Sequence, residues 1–226
     1  MEVLEAISTR KSVRAFKPLP VPRKVLSEIL EISLRAPSCE NTQPWEFAIV
    51  TGHILDDLKG TLGELRGADE EFRPDIPFPV PDYRPPHSDR ARQVGKGLFR
   101  AMGIERQDRE RRMEWYKAMA RFFDAPVGII VYVERYLGPY AILDAGLFLQ
   151  NLALAAPSYG LATCIHMAGV LYPDVLRSIL NIPDSKLILC GVSIGYPDED
   201  HPGWKFRSQR EPLEAFATWY GFDKDA

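Results

Sequence analysis

Two short stretches of this chain concentrate side chains that can do chemistry. The first is Arg10-Lys11-Ser12-Val13-Arg14, three cations and a hydroxyl within five residues. Guanidinium groups bind a phosphate through paired N–H donors, and a serine hydroxyl adds a short contact. Two readings stand for this segment, a compact anion site or a solvated basic turn. The second stretch is Ala36-Pro37-Ser38-Cys39-Glu40-Asn41-Thr42-Gln43-Pro44-Trp45. Small polar groups held between two prolines can offer backbone donors and amide side chains to the edge of a flat heteroaromatic. The same composition also serves a plain connection built from turn-forming residues. Trp45 at its end reads as core.

Other candidates weigh less. His166 lies in an apolar stretch with no acid or second histidine near it in sequence, which favours a hydrogen-bonded core residue over a proton shuttle. Cys39 reads as a small packing residue rather than a nucleophile. The basic run Arg106 to Arg112 is interleaved with acids, so it reads as a solvated helix and not as a nucleic-acid contact. Phe99, Trp115, Tyr116 and Phe122 suit either a core or a substrate pocket, with core the more frequent fate. No G-x-G-x-x-G follows an apolar strand, and Gly95-Lys96-Gly97 lacks the spacing of a phosphate loop. With no Cys-x-x-Cys or His-x-x-x-His pair, a metal site is not expected.

The elements that must position these residues follow from periodicity. Glu2 to Arg10 reads as a short helix that delivers the basic turn. A second helix starts near Pro22, carries Val25, Leu26, Ile29, Leu30 and Leu34 on one face, and must end by Ala36 because Pro37 disfavours helical geometry before it. Apolar runs at 45–50, 127–133, 162–166 and 187–194 read as strands. Helices are expected at His53 to Leu65 on the surface, at Pro139 to Tyr159, and from Tyr172 to Leu180. Gly160 and Asn181 close the last two. Residues 66–88 carry Pro74, Pro77, Pro79, Pro81, Pro85 and Pro86, which exclude helix and central strand and suggest a functional loop. From Asp89 to Phe123 the pattern is helical and charged, with Glu105/Arg109 and Asp108/Arg112 as opposite-sign pairs. Pro157 should kink the last turn of the long apolar helix, and little chain follows Gly221. Helices alternating with strands imply an α/β layered domain, with a mixed central sheet flanked by helices rather than a doubly wound one. One domain over 1–226, with an insertion or lid at about 66–121, accounts for the whole.

Bulk properties narrow the class. The 226 residues are 46% hydrophobic and 26% charged, enough to bury a sizeable core without disulfide or metal staples. A net charge of −3 argues against nucleic acid as a partner. No unbroken apolar run reaches the roughly 18 residues of a membrane span. The first 14 residues lack the apolar core of a signal peptide, and three scattered cysteines suit reduced thiols, so a cytoplasmic location is expected.

Taken together, the R-[RK]-S-x-R turn and the later A-P-S-x-x-N-x-Q-P-W loop resemble the nitroreductase family. The likeness continues through Gln150-Asn151-Leu152, Gly160-Leu161-Ala162-Thr163, Gly195-Tyr196-Pro197 and Arg210-Glu211-Pro212-Leu213. Pro81-Asp82-Tyr83, Arg90 to Leu98, Gly103-Ile104 and Phe122 to Pro126 resemble the branch containing nitrobenzoate reductases. The resemblance implies FMN as cofactor, NAD(P)H as electron donor, and a homodimer with its flavin sites at the subunit interface. It implies that Arg10, Ser12 and Arg210 hold the FMN phosphate, with Arg207 as a weaker candidate. Lys11 would serve the ribityl chain or phosphate, and Arg14 the N1–C2 carbonyl edge of the ring. In this family the counterparts of Pro37, Ser38 and Cys39 come from the partner subunit, while Asn41 and Gln43 would fix that loop or the ring edge. Ile165 and His166 would present backbone near the reactive N5. The activity implied is ping-pong reduction of a nitroaromatic, quinone or similar small aromatic acceptor, with no catalytic side chain. Alternatives on the same fold are reductive dehalogenation or dehydrogenation, and a flavin-binding protein without turnover is the alternative from another class.

Overall fold

The structure, a computed structural model, describes residues 2–77 and 82–221. Pro79 and Pro81 of the proline-rich segment, and so part of the Pro81-Asp82-Tyr83 likeness, lie outside the described residues. Four strands, β1 (Glu46–Thr51), β2 (Val127–Glu134), β3 (Ala162–His166) and β4 (Lys186–Gly195), pair in the order β1-β2-β4-β3. Each matches an apolar run to within a residue or so at either end. The α/β class is as the sequence implies, but the pairings among the described strands are all antiparallel rather than mixed. The β1-to-β2 and β3-to-β4 connections re-enter the sheet at the end they left, while the β2-to-β3 connection crosses to the opposite end, so every neighbouring pair is antiparallel. β2 and β4 form the buried centre, which is why their apolar runs are continuous.

Seven helices are present among the described residues: α1 (Val3–Thr9), α2 (Arg23–Ser33), α3 (Gly52–Gly67), α4 (His87–Ala101), α5 (Arg109–Ala120), α6 (Gly138–Ala155) and α7 (Pro173–Leu180). α2 and α6 cover one face of the sheet through Leu26, Ile29, Ala145, Phe148 and Leu152. Trp45 is core as expected, stacked on Phe148 at 5.7 Å. α3 and α7 cover the other face through Leu58, Leu62 and Leu176 around Phe122. α3 is therefore half-buried where a surface helix was expected. Phe122 lies over Gly128, Gly169 and Gly191, where an added Cβ would meet its ring at 3.3, 2.7 and 2.9 Å. This packing is accompanied by three consecutive left-handed residues, Phe122, Phe123 and Asp124. Such geometry is costly for side-chain-bearing residues, about 1–2 kcal/mol each. Burial of both rings offsets it, as does a hydrogen bond from Ser193 Oγ to the Phe122 carbonyl at 2.8 Å.

Pro157 acts as expected: α6 ends at Ala155 and tightens into a 3-10 turn over Ala156–Tyr159, which Gly160 closes at φ +70°. Asn181 closes α7 at φ +54°. By length and composition alone the stretch Arg135–Tyr159 is apolar enough to cross a membrane. As an unbroken run it falls short, because Asp144, Gln150 and Asn151 interrupt it. Its inner face is spent on the sheet.

The charged segment 89–123 is two helices broken at Gly103, whose φ of +62° a helix interior does not accept. The expected pairs Glu105/Arg109 and Asp108/Arg112 do not form. Glu105 and Asp108 precede the first turn of α5, so the four-residue spacing does not lie along a helix face. Asp108 instead caps α5, accepting from Arg111 N–H at 3.0 Å. Leu98, Ile104, Trp115 and Phe123 gather around Cys164 of β3, which docks this insertion beside the edge of the sheet. Its beginning is tied down at Asp75. Burial works to raise the Asp75 pKa, but hydrogen bonds from Arg177, the Ile188 N–H and Arg135 outweigh it, and the carboxyl stays below its ordinary value. Ile188 lies in the part of β4 that β3 does not reach, and Asp75 Oδ2 takes its N–H at 2.8 Å.

Candidate active site

The basic turn leaves α1 at Arg10 and is stitched along β3 and the end of β4. Val13 N–H donates to the Thr163 carbonyl at 3.0 Å, Lys17 N–H to Tyr196 at 2.9 Å, and Asp198 N–H to Ala15 at 3.0 Å. Val13 is buried, so Ser12 and Arg14 on either side of it point the other way, as alternation along an extended segment requires. Lys11, Ser12 and Arg14 line one pocket together with Leu98, Trp115 and Trp204. Asp198, His201 and Gly203 lie along the same pocket.

Cations predominate in this pocket, with Asp198 the one carboxylate among its lining residues. Among the described residues none of Arg10, Lys11, Arg14, Arg207 and Arg210 forms a salt bridge, although 13 ion pairs occur elsewhere. Lys11 donates to the Trp204 carbonyl, and its ammonium stands 3.1 Å from the centroid of the Trp204 ring. Burial, then the charge of Arg207, pulls its pKa down to about 8, against a smaller pull upward from Glu199. Arg14 donates to the Ser12 carbonyl at 3.2 Å. Burial pushes the Cys164 thiol up to about 11, while the charge of Arg14, a Ser12 hydrogen bond and the charge of Arg10 act the other way. Arg210 is exposed and donates to Ser208 Oγ at 2.7 Å and to the Gln209 carbonyl at 3.0 Å. Arg10, Lys11 and Arg14 thus stand unpaired beside the Ser12 hydroxyl, an arrangement suited to an anion.

His166 closes the floor behind Arg14. It is buried, its Nδ1 accepts from Gly169 N–H at 3.2 Å, and its Nε2 meets Ser193 Oγ at 3.0 Å. Because Nδ1 is the acceptor, the proton sits on Nε2, and both nitrogens are satisfied. Burial, and then the charge of Arg14, drive its pKa down to about 3. The side chain is therefore a neutral core group, the blander of its two readings. Its neighbour Ile165 points outward and is 38% exposed.

The loop after α2 is rigid without being buried. Glu40, Asn41 and Gln43 all hold left-handed backbone, a strain that clusters at ligand-binding segments. Ser38 Oγ accepts from Gln43 N–H at 2.9 Å, and the Gln43 amide donates to the Asn41 carbonyl at 3.1 Å. Cys39 N–H donates to Asp144 Oδ2 at 3.1 Å, which fastens the loop to α6. Pro37, Cys39, Asn41 and Gln43 remain exposed. The fold thus brings Arg10, Lys11, Ser12 and Arg14 together with Arg207 through Lys11, while the 37–43 loop is held on α6.

Sequence reasoning missed Asp144 and Trp204. A single acid within an otherwise apolar helix is a usable signal for Asp144. Nothing local marks Trp204 as the partner of a lysine 193 positions away. Of the aromatics weighed as pocket walls, Trp115 lines the basic-turn pocket and Phe99 a neighbouring cleft, whereas Phe122 is core. Among the described residues there is no cluster of three or more His, Cys, Asp or Glu suited to a metal.

Comparison with known proteins agrees with this geometry. The family model described as "Nitroreductase family" matches residues 7–196. The chain is 36% identical to a 4-nitrobenzoate reductase of Nocardioides sp. (strain LMS-CY), covering 100% of this chain and 93% of that one. It is 35% identical to a 4-nitrobenzoate reductase of Pseudomonas putida, covering 96% and 95%. Among solved structures it is similar to the FMN and NADPH-dependent nitroreductase NfnB from Sphigopyxis sp. strain HMH, at a TM-score of 0.93 and 32% identity over 98% of this chain and 100% of that one.

Proposed function

The chain belongs to the nitroreductase family, and from that membership we propose that it is an FMN-dependent NAD(P)H oxidoreductase that reduces nitroaromatics and similar small aromatic acceptors. The observation that carries this reading is the cluster of unpaired cations around Ser12, which is built for the terminal phosphate of a bound cofactor. FMN, when bound, supplies the redox chemistry, taking hydride from a nicotinamide and handing it to the acceptor.

The protein's own residues bind and orient. Arg10 and Ser12 are suited to grip the phosphate, joined by Arg210 and Arg207 from the C-terminal segment. Lys11, held against Trp204, would lie beside the same charge. Arg14, half-buried near neutral His166, would present a cation to the N1–C2 edge of the ring, where negative charge grows on reduction. The exposed Ile165 lies on the adjoining edge strand, where backbone from residues 165 and 166 would face N5. His166, held neutral beneath the pocket, is not poised as an acid or base. In this reading the protein contributes position and field. We read residues 1–226 as one domain whose segment 66–121 covers the pocket as a lid.

What is left exposed supports a second copy. The outer face of α6 shows Tyr140, Leu143 and Leu147, and the adjoining α1 shows Val3, Leu4 and Ile7. A continuous apolar face of this kind marks a subunit interface. The exposed loop of Pro37, Ser38, Cys39, Asn41 and Gln43 is pinned to this same helix, so dimerisation would carry it onto the partner's flavin.

The test is direct. Purified protein should be yellow, bleach under anaerobic NADPH, and regain colour on addition of 4-nitrobenzoate. Steady-state plots should be parallel, because donor and acceptor use one pocket in turn. Bound flavin that stays oxidised with both nicotinamides would mean a binding protein, and faster turnover of a halophenol would mean a dehalogenase.

A further inference from the structure

A second cleft, of about 580 Å³, opens where α4 meets the segment leading into α5. It neighbours the basic-turn pocket. Leu98 of α4 and Met102 just past its end face that pocket, while Gly95 and Phe99 occupy the next row of the same helix and face the cleft. The two sites are thus separated by one helix, about 10 Å across. Phe99 stands edge-on to Trp115 at 6.3 Å, so these two rings form the wall between them.

The cleft is strongly cationic. Arg92, Lys96, Arg100, Arg106 and Arg112 line it against a single acid, Glu105. Only Arg92 has a carboxylate partner among the described residues, Asp89 at 3.2 Å. Lys96, Arg100 and Arg106 are exposed and form no salt bridge. Arg112 lies with its guanidinium carbon 4.5 Å from the Phe99 centroid and donates to Tyr116 Oη at 3.3 Å. A guanidinium laid over a ring is a flat platform on which a heteroaromatic can stack. The three unpaired cations are suited to a phosphomonoester dianion. An oxidoreductase of the kind argued above has one ligand that combines these two features and must end near the flavin pocket.

Resting on that reading of the basic-turn pocket, we propose that this cleft binds the 2′-phosphoadenosine end of NADPH, with Arg100 and Arg106 on the 2′-phosphate and the Arg112–Phe99 pair beneath the adenine. It would set a preference for NADPH over NADH.

Calorimetric titration of the FMN-loaded protein with adenosine 2′,5′-bisphosphate, 5′-ADP and inorganic phosphate tests this without turnover. The bisphosphate should bind about tenfold or more tighter than 5′-ADP, which carries as many phosphates but none at the 2′ position, as expected for charge-assisted contacts to the 2′-phosphate. The double variant Arg100→Ala/Arg106→Ala should remove that advantage, and Arg112→Lys, which keeps charge and loses the plane, should weaken both nucleotides. In steady state the double variant should raise KM for NADPH and leave kcat and the KM for NADH unchanged. Equal binding of bisphosphate and 5′-ADP by the wild type overturns the proposal, as does inorganic phosphate binding as tightly as the bisphosphate. So does a double variant whose NADPH and NADH constants move together. Flavin that neither nicotinamide reduces would refute the oxidoreductase reading instead, and the titration would still decide the cleft.

Discussion

Acid should destabilise this fold in part through the buried His166. Its Nδ1 accepts the Gly169 N–H and its Nε2 proton is directed at Ser193 Oγ, with Phe122 and Phe123 rings edge-on at 5.0 and 5.5 Å. A second proton would set an N–H against the Gly169 N–H inside a buried site, beside the Arg14 charge. The folded pKa is accordingly about 3, against an ordinary 6.5. Between those values the unfolded chain binds a proton that the folded chain refuses. Stability is therefore complete above pH 6.5 and falls as the pH drops toward 3. At pH 5 the two binding equilibria differ by about 2 kcal/mol, from RT times the logarithm of their ratio. Urea unfolding at pH 7.5 and pH 5.0, for the wild type and His166→Asn, isolates this term. The variant loses packing at both pH values, roughly 1–3 kcal/mol, and the carboxylates titrate alike in both proteins. The wild type should lose about 2 kcal/mol more than the variant across that interval. Equal losses, or a labelled imidazole that titrates near 6.5 in the folded protein, would refute the argument.

Three further outcomes follow from the same geometry. Lys11, with a pKa of about 8 in the free protein, should gain its proton when a phosphate arrives. FMN affinity should then fall as pH rises through 8 and stay flatter in Lys11→Arg, which flavin-fluorescence titration at pH 7 and pH 9 would read. Gly169→Ala would place a Cβ 2.7 Å from Phe122 Cζ and 2.8 Å from His166 Cε1; such overpacking should lower stability by about 1–3 kcal/mol, and an unchanged urea midpoint would count against the packing described. Leu143→Asp, at an α6 position 60% exposed in the single chain, should give a folded monomer by sedimentation that holds FMN poorly, whereas a flavin-loaded monomer would separate the cofactor site from the interface.

What the sequence disclosed and what it hid divide by the range over which the determining contacts act. The strands were legible because β2 and β4 are buried on both faces, so their apolar runs are unbroken and need no partner to be recognised. The helix ends at Gly160 and Asn181 were legible because left-handed closure is a property of the residue itself. The basic turn was legible for a similar reason, since its cations and hydroxyl are contiguous. The direction of strand pairing was not, because it depends on which end of the sheet each helix returns to. Nor was the i,i+4 pairing expected before α5, where the capping role of Asp108 took the carboxylate first. Asp75 was invisible as an anchor, for its partners Arg135, Arg177 and Ile188 come from three separate segments.

The site shows the same division at a finer scale. Local sequence identified the groups that bind charge, and only the fold explains why that charge is strong. Arg10, Lys11 and Arg14 in a solvated turn would be screened and weak. Stitched along β3, with Lys11 against Trp204 and Arg14 over a histidine that cannot share the charge, they act in a partly dry pocket. His166 thus matters to the site although its side chain takes no proton. Held neutral, it leaves Arg14 without a second cation beneath it, and a protonated imidazole there would repel the arginine proposed for the flavin edge.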